Sequence, residues 1–97
     1  MLLERAEILI KEGLEDGFST AMTDTGLPML SSVAGVISAK IGRGVENPGK
    51  FMFLVEWESM DAHAAFNKAP ICAQFRALIG RYSRGGSMVH FRFSDNV

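Results

Sequence analysis

Cysteine is nearly absent from this 97-residue sequence, because Cys72 is the only one, and an intrachain disulfide is therefore excluded. Cys72, His63 and His90 also lack the CxxC, HxxxH and HExxH spacings of common metal sites, so no metal is expected. A domain this short buries roughly 60–70% of its unfolded surface and usually needs a disulfide, a metal or a partner chain. With the first two set aside, the sequence predicts oligomerisation.

Glycine-rich nucleotide motifs are absent as well. No GxGxxG follows a predicted strand, and no GxxxxGK[ST] occurs. The sequence therefore predicts neither a flavin nor a nicotinamide, and we expect no cofactor.

Long hydrophobic runs are missing too. The longest unbroken apolar run covers residues 51–55, which is far shorter than a membrane span. Charges at Glu4, Arg5 and Glu7 interrupt any signal-peptide apolar stretch. These features predict a cytoplasmic protein that has no membrane partner.

The charge balance is near zero but uneven. A net charge of −1 argues against nucleic acid as a partner. Residues 62–94 contain no acid and five bases, which are Lys68, Arg76, Arg81, Arg84 and Arg92. This run is either a solvated basic face or the positive rim of a pocket for an anionic, enolate-like ligand.

Hydrophobic periodicity predicts the element order β-α-β-β-α-β. Period-two alternation predicts strands over residues 2–11, 33–43, 50–58 and 88–93, with a hairpin loop at 44–49 and a second loop at 84–86. Helical spacing begins at Leu14 and is expected to end or bend near Gly26 and Pro28. Ser59 is the predicted N-cap of a helix that ends near Lys68, and Pro70 begins the next.

This order is that of an α+β protein with the ferredoxin-like, split βαβ topology: a four-stranded antiparallel sheet with helices on one face. The third strand is apolar on both faces, with Phe51, Phe53, Val55 and Trp57 on one and Met52 and Leu54 on the other. Either face could lie under the helices. The remaining face is then an apolar partner surface, which predicts a homodimer whose two sheets form a barrel.

The segment 53–66, FLVEWESMDAHAAF, carries a resemblance to a known family. A strand ending in W-x-S, followed by a helix with A-H-x-x-F, resembles the antibiotic biosynthesis monooxygenase family of dimeric α+β barrels. Residues 11–18, KEGLEDGF, match that family's entry into its first helix, and the resemblance spans nearly the whole chain. It implies a single family domain over residues 1–97.

One branch of that family can be compared residue by residue. Its haem-degrading members carry an asparagine on the first strand, a tryptophan late in the helix after W-x-S, and a histidine about three turns later. Those positions hold Ala6, Phe66 and Arg76 here. The resemblance therefore implies the cofactor-independent oxygenases, which act on a phenol or quinol, or a relative without catalysis.

Cofactor-free oxygenation needs a general base, a group that stabilises an oxyanion, and a dry apolar pocket. His63 is the candidate base, because its helical position turns it toward the sheet. A histidine on the helix flank that bonds backbone or water is the alternative. His90 is expected at the dimer interface if its sheet face is the barrel face.

The candidate substrate-binding residues are Trp57, Phe66, Arg76 and Tyr82. Trp57 and Phe66 would form a pocket wall or simply core. Arg76 and Tyr82 could anchor an enolate oxygen, and a solvated arginine is the alternative for Arg76. Cys72 is expected to be a small packed hydrophobe.

The sequence thus favours a cofactor-independent monooxygenase that oxidises a small aromatic, phenol or quinol substrate with dioxygen. The ligand is expected between helices and sheet, against Trp57 and beside His63. Two alternatives stay open, since one fold supports many chemistries. One is a dimeric ligand-binding protein without turnover, and the other is a small isomerase or lyase that uses the same base without oxygen.

Overall fold

The computed structural model of the protein describes residues 1–94; residues 95–97, the end of the predicted domain, lie outside the described part. The strands are β1 (Leu2–Ile10), β2 (Val36–Arg43), β3 (Lys50–Trp57) and β4 (Ser83–Arg92). The helices are α1 (Glu15–Ala21), α2 (Leu27–Ser31), α3 (Met60–Lys68) and α4 (Pro70–Gly80), with a π-helical segment, Met22–Gly26, between α1 and α2.

The four strands form one antiparallel sheet in the order β2-β3-β1-β4, which confirms the predicted α+β, ferredoxin-like fold. β1 lies in the interior of the sheet and pairs with both β3 and β4. Each inward side chain of β1 therefore lies between an inward side chain of β3 and one of β4.

The helices cover the Phe51–Trp57 face of the sheet, which settles the choice that the sequence left open. Alternate residues of β3 and β1 are buried in one core with side chains from the helices. The largest fully buried side chains are Trp57, Phe18, Phe53, Ile10, Met22 and Val55. Strand alternation thus supplies one wall of the core and helical periodicity the other.

The first helical region changes its hydrogen bonding where the sequence predicts a bend. The α-helical pattern gives way to a π-helical turn at Met22–Gly26, and the helix then continues past Pro28 to Ser31. A Cβ on Gly26 would lie 2.6 Å from the sulfur of Met22. Glycine at this position lets the fully buried Met22 fold back against the helix.

The junction between β3 and α3 brings α3 close to the sheet. Ser59 is the N-cap, as predicted, and its hydroxyl accepts a hydrogen bond from the Ala62 amide at 3.1 Å. Gly35 has φ +89° and packs so closely on Ala62 that a Cβ there would collide with it. The start of α3, which carries His63, is thereby held against the end of β3.

Two details of the predicted strands are wrong. β4 begins at Ser83 and includes residues 84–86, which were predicted as a loop; Gly86 lies too close to the backbone of Glu7 for any side chain. Regular alternation through the second predicted strand would place Ile37 on the same face as Ala39 and Ile41, but the β2–β3 register shifts between Val36 and Ser38. This bulge leaves Ile37 53% exposed.

The other face of the sheet has no covering element in the described chain. Leu3, Leu9, Met52 and Leu54 are half-buried there, and Val89 and Phe91 are exposed. The Arg5 guanidinium lies 5.9 Å from the Phe91 ring centre. Among the helices of residues 1–94, none has the length and apolar character needed to cross a membrane.

Candidate functional site

Glu4 is an acidic residue on the buried face of β1, where its neighbours on either side are apolar. It alternates with Leu2 and Ala6, and only 8% of its surface is exposed. The strand register places Glu4 directly opposite Val55 of β3 and His90 of β4. A carboxylate buried among apolar residues needs polar neighbours, and three neighbouring elements supply them.

Three ring nitrogens converge on one oxygen of Glu4. The Trp57 indole donates its Nε1–H to Oε1 at 3.2 Å. The Nε2 of His63 lies 3.1 Å from the same oxygen, and the Nε2 of His90 lies 3.6 Å from it. The two Nε2 atoms are 3.3 Å apart. Side chains from β1, β3, α3 and β4 therefore meet at one point.

The contact with Glu4 favours one tautomer of neutral His63. A carboxylate oxygen accepts hydrogen bonds, so its position 3.1 Å from Nε2 favours the form in which Nε2 carries the hydrogen. The lone pair is then on Nδ1, which has no hydrogen-bond partner among residues 1–94. A histidine oriented by a carboxylate on one nitrogen and free on the other is the arrangement of a general base.

The environment also keeps His63 uncharged near neutral pH. Burial lowers the pKa of His63 below its ordinary value of 6.5, and the nearby His90 and Arg76 lower it as well. The charge of Glu4 and its hydrogen bond act in the opposite direction, but they only partly offset the effect of burial. His63 is therefore ready to accept a proton.

A cavity of about 360 Å³ lies between the helices and the sheet beside this cluster. Its polar lining residues include Glu4, His63, Asn67 and Arg76. Its apolar lining includes Ala6, Ile8, Leu30, Phe53, Val55, Phe66, Cys72 and Phe75. A volume in this range suits a small ligand, and the mostly aromatic and aliphatic wall suits an aromatic one.

Three of the residues proposed from the sequence line this cavity, namely His63, Phe66 and Arg76. Trp57 does not line it. The indole is 1% exposed and packs behind His63 and Phe66, with ring centres 5.1 and 5.5 Å away. Trp57 thus supports two lining residues from behind.

Tyr82 lies outside the cavity lining, next to the first helix. Its ring packs against Phe18 with centres 5.7 Å apart, and a Cβ on Gly17 would lie 3.4 Å from this ring. Of the five bases in residues 62–94, Arg76 alone lines the cavity. Arg84 donates to the Ile10 carbonyl at 3.3 Å. Cys72 is buried, as expected, and its side chain forms part of the apolar wall.

Glu4 and the inward position of His90 were not predicted from the sequence. Glu4 could have been found from the alternation of β1, because this acid lies on the same strand face as Ala6, Ile8 and Ile10. His90 lies on the helix-covered face, so the conditional expectation of a barrel-interface histidine is not met. Its neighbours depend on the β1–β4 register, which no local pattern reveals.

Solved structures with the same fold come from several bacteria. A candidate antibiotic biosynthesis monooxygenase of Bordetella bronchiseptica is 23% identical, with a TM-score of 0.86 over 96% of each chain. Protein Rv0793 of Mycobacterium tuberculosis is 15% identical, with a TM-score of 0.79 over 97% of this chain and 95% of its own. At these identities the similarity shows the fold alone.

Two sequence comparisons establish the family. The uncharacterized protein YczJ of Bacillus subtilis (strain 168) is 32% identical over 94 residues, which cover 95% of this chain and 98% of that protein. The family model for antibiotic biosynthesis monooxygenase matches residues 1–78, from β1 almost to the end of α4. The chain therefore belongs to the antibiotic biosynthesis monooxygenase family.

Proposed function

We propose that this protein is a cofactor-independent monooxygenase that oxidises a small phenol or quinol with dioxygen, with His63 as the general base. The observation that carries the proposal is a buried histidine beside the carboxylate of Glu4, in the lining of a mostly apolar cavity. Family membership supports the reaction type, and the cavity supports an aromatic substrate. We expect the protein to act in the cytoplasm.

The proposed reaction needs no external reductant. Nδ1 of His63 takes the proton of the phenol hydroxyl, which leaves an electron-rich phenolate that can transfer electrons to dioxygen. A ring carbon that lies ortho or para to the hydroxyl and carries hydrogen then forms a bond to oxygen and loses that hydrogen. A phenol and dioxygen thus give a quinone and water, and a quinol and dioxygen give a hydroxyquinone and water. The four electrons that convert dioxygen into one quinone oxygen and one water come from the substrate.

The other lining residues have matching tasks in this proposal. Arg76 supplies positive charge for the phenolate oxygen, while Phe66 packs against the ring. The apolar wall excludes water from the reactive intermediate. Trp57 holds His63 and Phe66 in position without contacting the substrate. For Tyr82, the structure offers no contact with a ligand in this cavity.

Oxygen uptake tests the proposal directly. With a panel of hydroquinones and hydroxynaphthoquinones in EDTA-containing buffer, the purified protein should consume oxygen in proportion to quinone formed. His63→Gln should lower turnover about 10²- to 10⁴-fold, since that is the usual contribution of a general base. Affinity for the same compound, measured by calorimetry, should change less than about tenfold because a base acts mainly in the transition state.

Lys68→Gln is the matched control, because Lys68 is exposed on the same helix and should leave turnover unchanged. Ligand binding without oxygen uptake would contradict the proposal and favour a binding protein. Turnover under nitrogen would favour an isomerase or lyase. Uptake that EDTA abolishes and Fe²⁺ restores would refute the cofactor-independent mechanism.

The pKa of His63 gives a second prediction. In EDTA-containing buffer, NMR titration should place this pKa below the ordinary 6.5. Glu4→Gln should lower it further, because it removes the carboxylate, and Arg76→Gln should raise it, because it removes a positive charge. Since unfolded His63 binds its proton more tightly, the His63 contribution to the free energy of unfolding should fall with acidification below about pH 6.5. A pKa above 6.5 would contradict this account.

We also propose that the protein is a homodimer formed through the open face of the sheet. Half-buried and exposed apolar side chains from three strands, Leu3, Leu54 and Phe91 among them, share that face with the charged residues Arg5 and Glu56. Burial of such a surface against its own copy would remove it from water, and two sheets typically pack about 10 Å apart.

Light scattering tests the dimer. At micromolar concentration the mass should be about 21 kDa, twice the 10.6 kDa of one chain. Leu54→Glu should shift the equilibrium toward the monomer by placing a charge in the apolar contact. Ala73→Glu, on the exposed surface of α4, is the control and should leave the mass unchanged. A wild-type mass of one chain would contradict the proposal.

A further inference from the structure

Three potential ligand atoms meet at the Glu4 cluster with the spacing of a metal site. Oε1 of Glu4 and the two histidine Nε2 atoms form a triangle with sides of 3.1, 3.3 and 3.6 Å. In a tetrahedral zinc site the metal–ligand distances of about 2.0–2.2 Å place two ligand atoms about 3.3–3.6 Å apart. One metal ion can therefore bind all three atoms if the atoms move by a few tenths of an ångström.

We propose that Glu4, His63 and His90 bind one divalent transition-metal ion through these three atoms. Two imidazoles and one carboxylate favour ions such as Zn²⁺ or Co²⁺ over Mg²⁺ and Ca²⁺, which prefer oxygen ligands. The proposal departs from the sequence-based expectation of no metal. That expectation relied on local spacing, whereas these ligands come from two strands and a helix far apart in sequence.

The surroundings support a cation at this point. The ion-pair contacts of the Glu4 carboxylate within residues 1–94 are to the two histidines, so no lysine or arginine within 4 Å supplies a permanent positive charge. The Trp57 indole donates to Oε1 and fixes the direction of the carboxylate. Such outer hydrogen bonds orient ligands in metal sites.

A bound ion would be reachable from the cavity. Glu4 and His63 both line it, so a fourth position on the metal would open toward this space. Arg76 also lines the cavity and is the positive charge that opposes a cation there. Its guanidinium is 3.5 Å from the side-chain oxygen of Asn67, on the neighbouring helix.

Metal binding goes beyond the proposed oxidation. A chain that has bound the ion cannot use His63 as the base of that oxidation. Neutral imidazole has one nitrogen lone pair, and coordination through Nε2 places the proton on Nδ1. The metal-bound histidine therefore cannot act as the base. The metal-bound and metal-free chains are therefore two states of one site, and the proposed oxidation belongs to the metal-free state. Metal binding is tested by titration without any turnover, and oxidation is tested in EDTA, so failure of one is distinguishable from failure of the other.

Cobalt titration tests the site without any activity assay. EDTA-treated and dialysed full-length protein should bind one Co²⁺ per chain and show the intense visible d–d absorption of a four- or five-coordinate ion. Zn²⁺ should displace Co²⁺ and abolish that absorption. Zn²⁺ should also raise the melting temperature, because a ligand that binds the native state stabilises it.

His90→Gln is the decisive variant, since His90 lies on an edge strand and the fold does not depend on its burial. It should weaken Co²⁺ binding by about 100-fold or more, since even outer-sphere changes typically cost 10- to 100-fold. Glu4→Gln should have a similar effect. Glu56→Gln, the same change on β3, is the control and should bind like wild type. Absence of saturable Co²⁺ binding, or unchanged binding in His90→Gln, would overturn the proposal.

Discussion

The buried carboxylate of Glu4 is the constraint on which the site depends. A carboxylate loses its hydration when strand alternation turns it into an apolar core, and the loss must be offset by hydrogen bonds. Trp57 of β3 donates a hydrogen bond to this carboxylate, and His63 of α3 and His90 of β4 bring their Nε2 atoms to 3.1 and 3.6 Å from the same oxygen. One oxygen atom thus joins side chains from three different elements.

Sheet topology makes this convergence possible. Because β1 lies between β3 and β4, an inward residue of β1 has an inward neighbour on both sides. The tight β3–α3 junction, where Gly35 packs on Ala62, places the first turn of α3 directly above Glu4. The cavity continues from this point toward α4. The two proposals differ in the state of one atom: Nε2 of His63 either carries a hydrogen or shares its lone pair with a cation.

Much of the fold could be predicted from local patterns. The alternation of Phe51, Phe53, Val55 and Trp57 and the caps at Ser59 and Pro70 depend on residues close in sequence, so β3, α3 and α4 lie where they were predicted. The bulge at Ile37 and the extension of β4 through Gly86 depend on contacts between strands. His63, Phe66 and Arg76 could be chosen by residue type and helical face. The contacts of His63 with Glu4 and His90 could not be predicted, because they depend on how β1 and β4 align with each other.

The tautomer of His63 tests the central claim most directly. Long-range ¹H–¹⁵N correlation spectra of histidine-labelled, EDTA-treated protein distinguish a protonated from an unprotonated ring nitrogen. The account predicts that neutral His63 carries its proton on Nε2, and that Glu4→Gln weakens this preference because the charged acceptor is gone. A neutral His63 with its proton on Nδ1 would contradict the account, because Glu4 would then not be its hydrogen-bond acceptor and Nδ1 would have no lone pair for a substrate proton.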